Sequence, residues 1–213
     1  LGVEFEQRVS RFEEAIPLIR RLWNEESVTH HGEHFQVGGL GASIKPKRAG
    51  GPPIWVGGDV ISAVKRAAKL NCPWIAPPTM TFQEIAERVE VYRKTSAEIN
   101  GNSVNEQPII REVAIGRTKA EALHAARPAL LSKYESYASW GQTATKEEVS
   151  LSDTFDEFIK DRFIIGDEFE VADEVARYKD SFGEGEFLVR IQWPGFAQSS
   201  VLESIERLSK IIP

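Results

Sequence analysis

Residues 53–59 read PIWVGGD, an apolar run that ends on two glycines and an acid. Ile54 to Val56 has the length and composition of a short buried strand. Gly57 and Gly58 then remove side chains just before a helix-patterned stretch, ISAVKRAAKL, over residues 61–70. A strand that runs through glycines into a helix brings free N–H groups to a helix N-terminus. Backbone there can approach and hydrogen-bond a phosphate. The dinucleotide fingerprint G-x-G-x-x-G is absent from VGGDVIS, so the same residues also read as a tight strand–helix turn with no ligand. Asp59 is the expected cap of the helix.

The same unit repeats toward the C-terminus. Strands are expected over residues 54–56, 74–76, 109–115 and 187–192, with helices over 61–70, 82–99, 119–137 and 201–212. A further helix over 170–182 precedes the last strand, with Gly183 as its C-terminal cap. On the N-terminal side, residues 6–26 place Val9, Phe12, Ile16, Ile19, Leu22 and Trp23 on one helical face, with a kink expected at Pro17. Residues 27–37 read as a hairpin turning at Gly32, and residues 141–154 as a polar loop. Short apolar strands alternating with long helices indicate an α/β fold with parallel strands covered by helices. Four such strands suit either a small doubly wound sheet or half of a (β/α)8 barrel. No shift in composition divides the chain, so residues 1–213 read as one domain.

The second strand–helix turn runs Ala76-Pro77-Pro78-Thr79-Met80-Thr81. Thr81, with Glu84 three residues on, has the pattern of a capping box. Thr79 or Thr81 would also suit donation to a phosphate beside the glycines. In FLVRIQWPGF, residues 187–196, alternation puts Phe187, Val189, Ile191 and Trp193 on one side and Leu188, Arg190 and Gln192 on the other. An Arg and a Gln within such a strand suit a barrel interior or a site at its carboxyl end; an edge strand with Arg190 reaching solvent fits equally. Trp193, leaving the strand, would wall a flat ligand. His30, His31 and His34 form H-H-x-x-H on the hairpin, but no H-E-x-x-H pattern accompanies them, and no metal is expected. No nucleophile triad is visible. Any redox chemistry therefore belongs to an organic cofactor that the chain positions.

Bulk properties narrow the partners. Of 213 residues, 41% are apolar and 27% charged, as in a folded soluble domain. Twenty-six basic and 32 acidic residues give a net charge of −6 with no basic block, which argues against nucleic acid. No apolar run reaches the roughly 18 residues of a membrane span. The single cysteine, Cys72, rules out an intrachain disulfide and fits a reducing compartment, so a cytoplasmic location is expected.

Four stretches in order, FEEAIPLIRRLW, VTHHGEHFQV, KPKRAGGPPIWVGG and AVKRAAKL, resemble the bacterial luciferase-like family of flavin-dependent oxidoreductases and monooxygenases. IIGDEFEVADEVARYKDSFG, FLVRIQWPGF and the final IERLSKIIP are similar to that family's C-terminal end; residues 141–158 match least. The resemblance implies a (β/α)8 TIM barrel, of which this chain supplies the C-terminal half, four parallel strands with their helices. It implies FMN, or the deazaflavin F420, bound at the carboxyl ends of the strands. The reaction implied is oxygenation of a small organic substrate by reduced FMN and O2, or hydride transfer with F420. A non-catalytic flavin-binding relative is the remaining alternative. The cofactor-binding residues implied are Val56, Gly57, Gly58, Ala76, Pro77, Thr79 and Trp193. No catalytic residue is assigned, because Leu1 aligns just after the family's fourth strand. A missing N-terminal segment or a protein partner is expected to complete the barrel, and a homodimer is expected.

Overall fold

A computed structural model describes residues 2–101, 107–140, 151–183 and 185–211. A short 3-10 turn, Phe5–Gln7, leads into α1, Arg8–Asn24. Strands β1, Val28–His31, and β2, Gln36–Leu40, form the expected antiparallel hairpin, closed where the Gly32 N–H donates to Phe35 O at 3.0 Å. β2 runs three residues past the expected hairpin, through Leu40.

The hairpin hangs on one carboxylate of α1. Glu14 accepts from His30 Nε2 at 2.8 Å and from the backbone N–H groups of His34 and Phe35 at 2.9 and 3.0 Å. At the other end of α1, Arg20 donates to the carbonyls of Leu70 and Asn71 at 2.6 and 2.9 Å. Those carbonyls terminate α2, Ile61–Lys69, so α1 docks through a cation on its neighbour's negative helix end.

The parallel strands follow. β3, Val56–Gly57, pairs with β4, Trp74–Ile75, in the register Val56↔Trp74 and Gly57↔Ile75, with α2 as the crossover. α3, Phe82–Asn100, starts at the predicted capping box: Thr81 Oγ1 accepts from Glu84 N, and Glu84 accepts from Thr81 N at 2.7 Å. β5, Ile109–Ile115, has the expected bounds and pairs with β7, Phe187–Arg190, along its first four residues. Between them lie α4, Lys119–Ser139; α5, Leu151–Phe158; β6, Ile164–Gly166; and α6, Glu168–Phe182. α7, Gln198–Leu208, closes the described chain.

An isolated parallel bridge joins Ala76 to Ile109. Since β7 already holds one flank of Ile109, β4 takes the other. The strands therefore run β3-β4-β5-β7 in sequence order, the order of a barrel wall. The reversal that defines a doubly wound sheet is absent from this row.

Several elements depart from expectation, and β3 begins at Val56, not at residue 54. β6 pairs with Val113–Ile115, the carboxyl half of β5, on the flank away from β7. It is a three-residue strand hidden between two polar stretches. α5 occupies part of the expected 141–154 loop, because Phe155 and Phe158 supply a buried stripe; residues 141–150 lie outside the described residues. The last strand stops at Arg190, not at residue 192, and the last helix starts at Gln198, three residues early. Residue 212, its expected end, lies outside the described residues.

Side-chain alternation along β5 separates two apolar layers. Ile109, Val113 and Ile115 enter a layer with Trp74, Ile85 and Tyr178, from β4, α3 and α6. Ala114 enters the opposite layer with Ala126, Leu130, Phe155 and Phe158 from α4 and α5.

Burial works against the Glu14 carboxylate, but the bonds from His30, His34 N–H and Phe35 N–H outweigh it and hold its pKa down at about 2. A carboxylate depressed in the folded state stabilises fully above its unfolded value, near 4.5, and loses that contribution as pH falls through 2. Amide exchange across residues 28–40 is therefore expected to accelerate between pH 4.5 and 2 ahead of global unfolding, and Glu14→Gln should produce the same loosening at neutral pH. A hairpin equally protected in both cases would contradict the tether.

Candidate functional site

The β3–α2 turn is built by two glycines with different reasons to be there. Gly58 has φ of +148°, and a Cβ on it would lie 2.5 Å from Ala63 Cβ. Its carbonyl also accepts from Trp74 Nε1 at 2.8 Å. Gly58 thus lets α2 close onto the strand, which is the ligand-free reading of the turn. Gly57 is different. A Cβ there would meet only Ile75, at an ordinary 3.8 Å, so no contact within the chain demands a glycine. It lies exposed at the carboxyl end of β3.

The helix cap is Val60, not Asp59 as the sequence suggested, and no side chain caps α2. Its first turn also carries no acidic residue. From α3, Arg88 Nε donates to Asp59 O at 3.3 Å and places a cation against the turn.

The neighbouring β4–α3 turn stands beside it. The register Gly57↔Ile75 carries Gly58 and Ala76 to the same level on adjacent strands. Val56 and Ala76 are buried, while Pro77 and Thr79 are half-buried. Two arginines hold this turn by its carbonyls: Arg111 Nη1 donates to Pro78 O at 3.3 Å, and Arg162 Nε to Thr79 O at 2.8 Å. The structure thus brings together six of the predicted residues, Val56, Gly57, Gly58, Ala76, Pro77 and Thr79.

Trp193 is placed elsewhere. Alternation had put it with Val189 and Ile191, but β7 ends at Arg190 and the chain then turns Trp193 to the opposite face. There it is only 3% exposed, and its Nε1–H donates to Glu112 at 2.5 Å. Glu112, wholly buried, collects three further donors: Lys133 Nζ at 2.5 Å, Tyr134 OH at 2.7 Å and Arg190 Nη1 at 3.1 Å. Burial pulls the Lys133 ammonium pKa down against the opposing pull of Glu112. Burial and then the Glu112 charge push the Tyr134 phenol up. This cluster pins α4 and the end of β7 to β5. The signal for it was present in the sequence: IIREVAI sets Arg111 and Glu112 side by side in an otherwise apolar strand.

The three hairpin histidines do not converge. His30 bonds Glu14, His31 bonds Gln36, and His34 bonds Ser10 Oγ at 2.7 Å. Among the described residues no group of His, Cys, Asp or Glu is arranged to hold a metal, and no helix is long and apolar enough to cross a membrane. A cavity of about 680 Å³ opens between α4, β6 and α6, against Leu123, Phe163, Ile165 and Tyr178. None of the predicted residues lines it, and four of its five lining carboxylates, Asp156, Asp161, Glu170 and Glu174, are already paired with Arg127, Arg177 or Lys119. The strand-end turns are therefore the better candidate.

Comparison with known proteins gives a consistent picture. The family model described as luciferase-like monooxygenase matches residues 1–185. Among curated proteins, an F420-dependent glucose-6-phosphate dehydrogenase of Mycobacterium avium is 27% identical over 112 residues, covering 53% of this chain and 33% of the relative. Among solved structures, monooxygenase RslO1 from Streptomyces bottropensis has a TM-score of 0.81 at 16% identity, covering 99% of this chain and 62% of that one. The oxygenating constituent of 3,6-diketocamphane monooxygenase from Pseudomonas putida, in complex with FMN, has a TM-score of 0.66 at 16% identity, covering 93% and 61%. These likenesses assign the α/β wall to the luciferase-like TIM-barrel fold. The chain spans about a third of the curated relative and about three fifths of the solved chains.

Removing a buried charge's partner typically costs about 3–5 kcal/mol. Glu112→Ala is expected to lose stability of that order in urea unfolding at pH 7. The double change Glu112→Leu with Lys133→Met should lose less, since Arg190, 34% exposed at its side chain, can turn to water. A Glu112→Ala loss below about 1 kcal/mol would show that the cluster does not hold α4.

Proposed function

This chain belongs to the luciferase-like monooxygenase family, and from that membership we propose that it forms the cofactor-phosphate side of a flavin-dependent oxidoreductase. The reaction we assign is oxygenation of a small organic substrate with reduced FMN and O2. The observation that carries the reading is Gly57: exposed, bare without internal need, and set at the head of a helix whose first turn has neither acid nor capping side chain. These residues fit a phosphate. Gly57 lets backbone approach it, the first-turn N–H groups of α2 face a negative charge favourably, and Arg88 braces the turn from α3. Ala76, Pro77 and Thr79 flank the same position.

Reduced FMN, when bound, supplies the electrons, and the chain's part is to fix its phosphate and keep water from the reacting end. Trp193 enters this reading indirectly: its enclosed indole backs the wall through Glu112. A second reading, hydride transfer with F420, is favoured by the similarity to the F420-dependent relative. Both cofactors carry phosphate, so the turn serves either.

We also read the row β3-β4-β5-β7 as the C-terminal four strands of an eight-stranded barrel. Among the described residues β3 pairs only with β4 and β7 only with β5, which leaves one flank of each open. Exposed strand flanks recruit further strands. A further segment or a partner chain supplies the other four in this reading.

The test is binding, followed by flavin fluorescence or calorimetry, of FMN, riboflavin and F420. FMN or F420 should bind, and Gly57→Asp should weaken the phosphate-bearing cofactor by about tenfold or more while riboflavin changes little. No binding of either cofactor to the native protein would overturn the assignment. For the barrel reading, light scattering of the native protein should give a mass above that of this chain alone; a lone folded monomer of this chain would refute it.

A further inference from the structure

Arg111 is the odd member of β5. It is wholly buried, yet among the described residues Nε and Nη2 have no hydrogen-bond partner, and Nη1 donates to Pro78 O at 3.3 Å. Its guanidinium lies 5.0 Å from the Tyr178 ring centroid, a secondary stabilisation of the charge. Burial works against that charge, and among the described residues no carboxylate hydrogen-bonds it. An arginine kept only for stability would be replaceable by an apolar residue of the same length. What it does hold is one carbonyl of the turn beside Gly57.

That carbonyl orients an N–H. Every described peptide is trans, so the Thr79 N–H points opposite to the Pro78 carbonyl that Arg111 holds. Arg162 holds the next carbonyl, Thr79 O, and the Met80 N–H closes the turn on Pro77 O at 3.2 Å. The Thr79 N–H itself takes no partner among the described residues. Resting on the cofactor reading above, we propose that Arg111 is a positioning residue: from inside the wall it locks the Pro78–Thr79 peptide so that the Thr79 N–H is presented to the cofactor's phosphate.

The test uses Arg111→Met and Arg111→Lys in the native protein. Without cofactor, NMR-detected amide exchange of Met80 should rise by on the order of tenfold in Arg111→Met, because the turn loses its charged anchor. Thermal stability should hold or increase, since two unpartnered donors leave the interior. With ligand, FMN affinity should fall about tenfold and riboflavin affinity should stay, with partial recovery in Arg111→Lys. Unchanged Met80 exchange would overturn the clamp whatever the cofactor does. Equal weakening of FMN and riboflavin would overturn its aim at the phosphate. Failure of the wild-type protein to bind FMN or F420 would overturn the cofactor reading and the phosphate aim, while Met80 exchange would still decide whether Arg111 fixes the turn. Should Arg111→Met not fold, the exchange and affinity of Arg111→Lys decide the same points.

Discussion

The register of β5 is the constraint on which the rest of the structure depends. It has partners on both flanks, β7 on one and β4 then β6 on the other. Its alternation sends Arg111 toward α6 and Glu112 toward α4. A slip of one residue would exchange them. Glu112 would then lie beside Tyr178 without its four donors, and Arg111 would lose Pro78 O. Two adjacent opposite charges, each useful on only one face, therefore fix the pairing more firmly than the apolar residues around them could.

The two faces divide the work. On one, Arg111 reaches the β4–α3 turn and Trp74 reaches the β3–α2 turn, so both strand ends are set from within the wall. On the other, the Glu112 cluster fastens α4, β7 and Trp193. Polar groups placed inside an otherwise dry interior have few alternative partners, which is why each specifies a geometry. The apolar layers supply the bulk of the burial but little of this direction.

Much of the architecture was legible because it rests on local chemistry. The Thr81–Glu84 capping box, the bounds of β5 and the Gly183 cap follow from residues within a few positions of one another. The six turn residues were legible for the same reason, since strand, glycine and helix are consecutive. What escaped is non-local. β6 is three residues long and is a strand only because β5 offers a free flank. α5 is helical through Phe155 and Phe158, whose partners are more than twenty residues away in α4. Trp193 was assigned to the wrong face because alternation was extended past the point where β7 loses its neighbour. The Glu112 cluster draws its donors from α4, β7 and the residue after it, which no window of sequence contains.

The excursion from β5 to β6 leaves and re-enters the wall at nearly one point, where Gly116 N–H donates to Gly166 O at 3.1 Å. Everything between, including α4 and α5, is a closed detour whose ends are already tied together. Lengthening such a detour adds only a slowly growing closure entropy. The wall therefore tolerates added length in the detour, while Lys133, Tyr134 and Arg162 stay its fixed points, since they hold Glu112 of β5 and the Thr79 carbonyl of the β4–α3 turn.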